Sequence, residues 1–126
     1  MGLVLDTGAL IAFDRGSREV AALVEATRRR REKVVTSSGC VAQAWRGGGP
    51  RQALLARLLR GVGEAALDPE VSPVVGELCD QAASSDVIDA HVALLARDED
   101  MVVTSDADDI RTLLRARGSV ASVVRC

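Results

Sequence analysis

Three stretches of the 126-residue chain end or begin on carboxylates: MGLVLDTGAL at the start, SSDVIDAHVALLA from Ser84 and MVVTSDADDI from Met101. Asp6 follows an apolar run that reads as a strand, and a lone buried charge is costly unless something pairs with it. Asp106 comes two residues after the apolar run MVVT. Asp86 and Asp89 are three apart at the start of a helical pattern, which sets them on one helix face. The face carrying Val87, Ile88, His91, Leu94 and Leu95 is apolar and is expected in the core. In open α/β sheets, ligands bind beyond the carboxyl ends of the strands. Asp6, Asp89 and Asp106, with Asp86 nearby, can therefore converge on one pocket. Carboxylates that close raise one another's pKa, and a divalent cation reverses this. Oxygen donors with neither paired His nor paired Cys favour Mg²⁺ or Mn²⁺ over zinc. The chemistry they suggest is metal-assisted attack of water on a phosphodiester. The alternative for Asp86, and for Asp108 and Asp109, is a first-turn acid that favours the helix dipole.

Positioning such acids needs alternating elements, and the chain has them. Short, mostly β-branched runs at 2–6, 33–36, 65–68, 101–104 and 119–124 read as strands covered on both faces. Helical patterns occupy 17–31, 37–46, 50–60, 72–83, a segment from Ser85, and 106–117. Ser17 is placed to cap the first of these, Pro50 to start the third, and Gly118 to stop the last. Strand–helix alternation implies an α/β fold with a mostly parallel sheet and helices on both sides, as one domain over 1–126. Composition is that of a globular domain, 48% hydrophobic and 27% charged, with net charge −2. No apolar run is long enough for a membrane span and no secretory signal is visible. Three cysteines without C-x-x-C spacing argue against a disulfide framework or a zinc site and fit a reducing cytoplasm.

Taken together, VLDTGALIA, SSDVIDAHVALLA and VVTSDADDI, in that order and spacing, resemble the PIN-domain nucleases, and among them the VapC toxins of bacterial toxin–antitoxin pairs. The likeness runs over essentially the whole chain. It implies a three-layer α/β/α sandwich and Mg²⁺- or Mn²⁺-dependent endoribonuclease activity on structured RNA. It also implies a homodimer and a VapB-like antitoxin whose C-terminal segment blocks the acidic pocket. Asp6, Asp89 and Asp106 match the family's first, third and fourth acids, with Thr7 and Thr104 beside them to orient the acids or a metal-bound water. The family's second acid, a glutamate, is replaced here by Gln43 in CVAQAWR. Glutamine keeps an acceptor oxygen but lacks the charge and cannot act as a general base. Weaker metal binding and slower cleavage are expected, unless Asp86 supplies the missing charge. A catalytically silent PIN-like binding module is the competing reading. A phosphotransferase with a nucleophilic strand-end aspartate is disfavoured, because the second acid it needs would fall at Gly8.

The remaining distinctive residues divide between packing and partner contact. His91, the single histidine, is expected in the core, as are Cys40 and Cys79. Trp45 reads as a packing residue, with an interface role as the alternative. Aromatics are too few for base stacking, so RNA is expected to be held through phosphates by arginines, Arg46, Arg51, Arg57 and Arg60 foremost. Arg28 to Arg31 read as a solvated helix end. Leu54, Leu55, Leu58 and Leu59 exceed the needs of one helix and suggest a dimer or antitoxin groove.

Overall fold

The chain forms five strands, most of them on the apolar runs, in a computed structural model that describes residues 1–126. The strands are β1 (Leu3–Leu5), β2 (Val34–Ser37), β3 (Gly63–Ala65), β4 (Met101–Thr104) and β5 (Ser122–Arg125), and every pairing is parallel. Their order is β3-β2-β1-β4-β5. β1 is central, with Val4 opposite Val35 on one side and Val102 on the other. Leu3, Val4, Leu5, Val34, Val102 and Val103 are all buried. Strands that bury both faces need apolar residues in succession, which is how these runs read.

Seven helices cover the sheet: α1 (Thr7–Asp14), α2 (Arg18–Arg29), α3 (Ser38–Ala44), α4 (Ala53–Leu59), α5 (Ser72–Ala82), α6 (Val87–Leu95) and α7 (Ala107–Ala116). α1 packs on α2, α3 and α4, while α5, α6 and α7 pack on one another. The result is a three-layer α/β/α sandwich of the PIN-like kind. α2 and α7 each bury a single apolar stripe, Val20 and Val24 in α2 and Ile110, Leu113 and Leu114 in α7.

Several elements depart from the sequence expectation. α1 was not expected as a helix, because TGALIAFD is apolar on all sides and shows no helical period. β3 lies at 63–65, ahead of the run AALD, and β5 begins at Ser122. The helix expected from Pro50 opens as a 3₁₀ turn, Pro50–Gln52, before α4 begins. Val87 is exposed, not in the core. Of the four leucines proposed as a groove, Leu55 and Leu58 are core, Leu59 is partly buried and only Leu54 is exposed.

From β1 the chain builds outward to β2 and β3, then returns across the sheet to β4 and β5. The direction of winding therefore reverses between β1 and β4. In such sheets the crevice outside the strands' carboxyl ends opens at that switch point. The opposite edge is closed by polar ties. Asp100, buried, accepts the Gly2 N–H at 2.9 Å and the Arg97 N–H at 2.9 Å. Arg117 donates to the carbonyls of Ala93 (2.9 Å) and Ala96 (2.6 Å), at the end of α6.

Candidate functional site

Asp6 leaves β1 at the switch point and is 97% buried, with 3% exposure. Its placement has a structural reason that the sequence reading lacked. Asp6 caps α1, its Oδ1 accepting the Ala9 N–H at 2.8 Å. Its Oδ2 accepts the Thr104 hydroxyl and the Ser105 N–H, the latter at 3.3 Å. Burial raises the Asp6 pKa above the ordinary carboxylate value. Hydrogen bonds from Thr104, Ala9 and Ser105 oppose that shift, and the Asp106 charge adds to it.

Thr104, fully buried, links the two strand ends. Its hydroxyl donates to Asp6 and accepts the Asp106 N–H at 2.8 Å. Asp106 stands at the N-cap of α7, yet its side chain makes no capping bond. Its exposed carboxylate thus has no structural task in the helix.

Asp86 and Asp89 separate in role. Asp86 is exposed and caps α6, its Oδ1 accepting the Asp89 N–H at 2.9 Å. Asp89, expected to face away from the core with Asp86, is buried at 7% exposure, and its Oδ2 has no hydrogen-bond partner. Its pKa is raised to about 7, first by burial and then by the charges of Asp86, Asp106, Asp6 and Asp109. These acids therefore share one field at the carboxyl edge. Asp109, expected only as a first-turn acid, belongs to it. Its position one helical turn after Asp106 was the available sequence signal.

Gln43 on α3 reaches the same edge, where Thr7 donates its hydroxyl to Gln43 Oε1. Arg46 does not extend into the site; its Nη1 donates to the carbonyls of Ala42 (3.1 Å) and Trp45 (2.7 Å). Trp45 packs over Gly48, where a Cβ would come within 2.1 Å of the indole. His91 is core, its Nδ1 paired with the buried Ser37 hydroxyl at 2.7 Å, and burial lowers its pKa. Ser37 also accepts the Gly39 N–H as the cap of α3. The Ser37–His91 pair is sealed from solvent and is no nucleophile. Cys40 is fully buried and Cys79 nearly so.

No three acidic, histidine or cysteine side chains stand close enough to form a ready metal cage. Mg²⁺ seldom needs one: it keeps several waters and is usually held by one or two carboxylates and substrate phosphates. An orphaned, buried carboxylate oxygen among like charges fits a hard cation, since an unpaired buried charge is otherwise costly.

In comparisons with known proteins, no family model and no curated protein matches this chain. Among solved structures, it superposes on a chain of VapBC2 from Rickettsia felis, crystallised with a DNA fragment from its promoter. The TM-score is 0.68 with 14% identity, over 100% of this chain and 99% of the other. The two chains share a fold.

Proposed function

We propose that this chain is a Mg²⁺- or Mn²⁺-dependent endoribonuclease acting as the toxin of a toxin–antitoxin pair. The observation that carries the reading is Asp89: a buried carboxylate with an unpartnered oxygen, facing the charges of Asp106 and Asp6 at the switch point. Asp89 and the free carboxylate of Asp106 would hold the cation, which needs only one or two carboxylates beside water and substrate phosphate, while Asp6 would order the edge through Thr104 and not serve as the third ligand the sequence suggested. When bound, the metal polarises the phosphodiester and lowers the pKa of an attacking water. Asp6 is fixed in orientation by Ala9, Thr104 and Ser105, so its remaining lone pairs keep one direction. Thr104 transmits that order to Asp106 through the Asp106 N–H. Thr7 holds Gln43 Oε1, which accepts a hydrogen bond from water but takes no proton from it. The likeness in fold to a chain of the Rickettsia felis VapBC2 complex supports an antitoxin partner, and the sequence resemblance to the VapC toxins adds that its C-terminal segment blocks the acidic edge. The same sequence resemblance is what supports a homodimer with structured RNA as substrate.

The test is cleavage of total RNA under single-turnover conditions with Mg²⁺ or Mn²⁺, beside Asp89→Asn and Asp106→Asn, with Mn²⁺ binding followed by calorimetry. Metal-dependent cleavage and Mn²⁺ binding by the parent, both lost in the variants, are expected. Mn²⁺ binding without cleavage favours the second reading, a silent binding module, for which Gln43 in place of an acid is the specific support. Neither binding nor cleavage overturns the metal site.

A further inference from the structure

A cavity of about 490 Å³, lined by none of the acids but linked to them through Ser105, falls within the range of about 300–1,000 Å³ typical of ligand sites. α1 supplies one side through Gly8, Ile11 and Ala12, Arg15 and Ser17 stand at one end, and Ser105 lies against Gly8. Ser105 joins the cavity to the acidic edge. Its N–H donates to Asp6 Oδ2 at 3.3 Å, while its hydroxyl presses on Gly8 so closely that a Cβ there would lie 2.2 Å away. Glycine at position 8 is what allows this contact.

Arg15 is the distinctive group. It directly follows α1, the helix that Asp6 caps. Nine residues at 1.5 Å each set it roughly 13 Å from Asp6 along the helix axis, within the span of a dinucleotide. Its guanidinium makes no ion pair and no hydrogen bond to the protein. By contrast, Arg46 is folded back onto the carbonyls of Ala42 and Trp45, and Arg111 and Arg125 both reach Asp108. An edge crowded with acids repels a polyanion, so a strand brought there needs a free cation nearby. The cavity offers one, together with an aliphatic surface from Ile11 and Ala12 and two hydroxyls.

We propose that this cavity seats the nucleotide of an RNA strand adjoining the scissile phosphodiester, with Arg15 holding its phosphate. The proposal rests on the ribonuclease reading and adds the subsite that places substrate. Arg15 acts as a binding residue, recognising phosphate through charge-assisted hydrogen bonds.

The test is fluorescence anisotropy of a labelled RNA hairpin with a roughly ten-nucleotide single-stranded loop in Ca²⁺, across a salt series. Arg15→Ala is expected to weaken binding roughly tenfold and to flatten the slope of log K against log salt by about 0.7, the loss of one phosphate contact. Arg15→Lys should keep the slope. Arg29→Ala, whose partner Glu25 lies on the same helix, should leave both unchanged. Because Arg15 is exposed and its guanidinium has no polar partner in the protein, the thermal midpoint should not move. Binding by the parent with equal affinity and slope in Arg15→Ala overturns the subsite and leaves the nuclease reading standing. An equal loss in Arg29→Ala overturns it in favour of unspecific attraction. A parent chain that binds no RNA overturns both.

Discussion

Asp89 is a carboxylate the fold would hold more easily without its charge. Its unfolded counterpart ionises near ~3.9, whereas in the folded chain burial and neighbouring acids raise it to about 7. Below the lower value both states carry the proton and nothing is lost. Between the two, only the folded state keeps it, so this group's contribution to stability falls as pH rises, and above about 7 the deficit is constant. Asp89→Asn is therefore expected to raise the melting temperature of metal-free protein at pH 8, with the gain shrinking toward pH 4, while abolishing any Mn²⁺-induced rise. Differential scanning fluorimetry at the two pH values checks both. Gln43 is the complementary case, an oxygen in place without the charge. Thr7 can donate to a glutamate as it does to the amide, so Gln43→Glu is expected to preserve the fold. It should raise metal-dependent RNA cleavage at least about tenfold, within the usual contribution of a general base, as single-turnover rates would establish. Asp6 and Asp106 were legible in the sequence because each follows an apolar run that had to be a strand. The Thr7–Gln43 and Thr104–Asp6 contacts were not, since they join residues 36 and 98 apart in the chain.

Elements were legible where packing imposes a period and obscure where it does not. β4 reads directly from MVVT, and α7 from one buried stripe. α1 hides because it sits beneath α2, α3 and α4 and is apolar all round. Its signature was the Asp6 cap, which read instead as chemistry. β3 hides for the opposite reason: Gly63, Glu64 and Ala65 have almost no strand propensity, and β2 alone recruits them at the sheet edge. Two helix ends are open to measurement. Arg117 satisfies two terminal carbonyls of the α6 segment, and Arg117→Ala is expected to cost about 1–3 kcal/mol in urea denaturation. Ala83 ends α5 in the left-handed conformation at φ 52°. Ala83→Gly is expected to add about 0.5–1 kcal/mol of stability, because a Cβ is strained there.

The molecule as a whole is held by one core on both sides of a single sheet, and its acidic edge draws on four segments remote in sequence. A cation that binds only when these are assembled stabilises the entire fold by linkage. Mn²⁺ at a hundred times its dissociation constant is expected to add about 2.7 kcal/mol, measurable as a rise in the urea midpoint that a chelator reverses. The position of β1 has a temporal consequence. This first strand lies between β2 and β4, and Asp6 gains its Thr104 partner only across 98 residues. During synthesis, the earliest strand must therefore wait for one of the latest. A nascent chain released before Thr104 lacks half of the switch-point crevice, so translation that stalls early yields a fragment in which Asp6 has no hydroxyl to hold it. Whatever the assembled edge does is thus deferred until nearly all of the chain has been made.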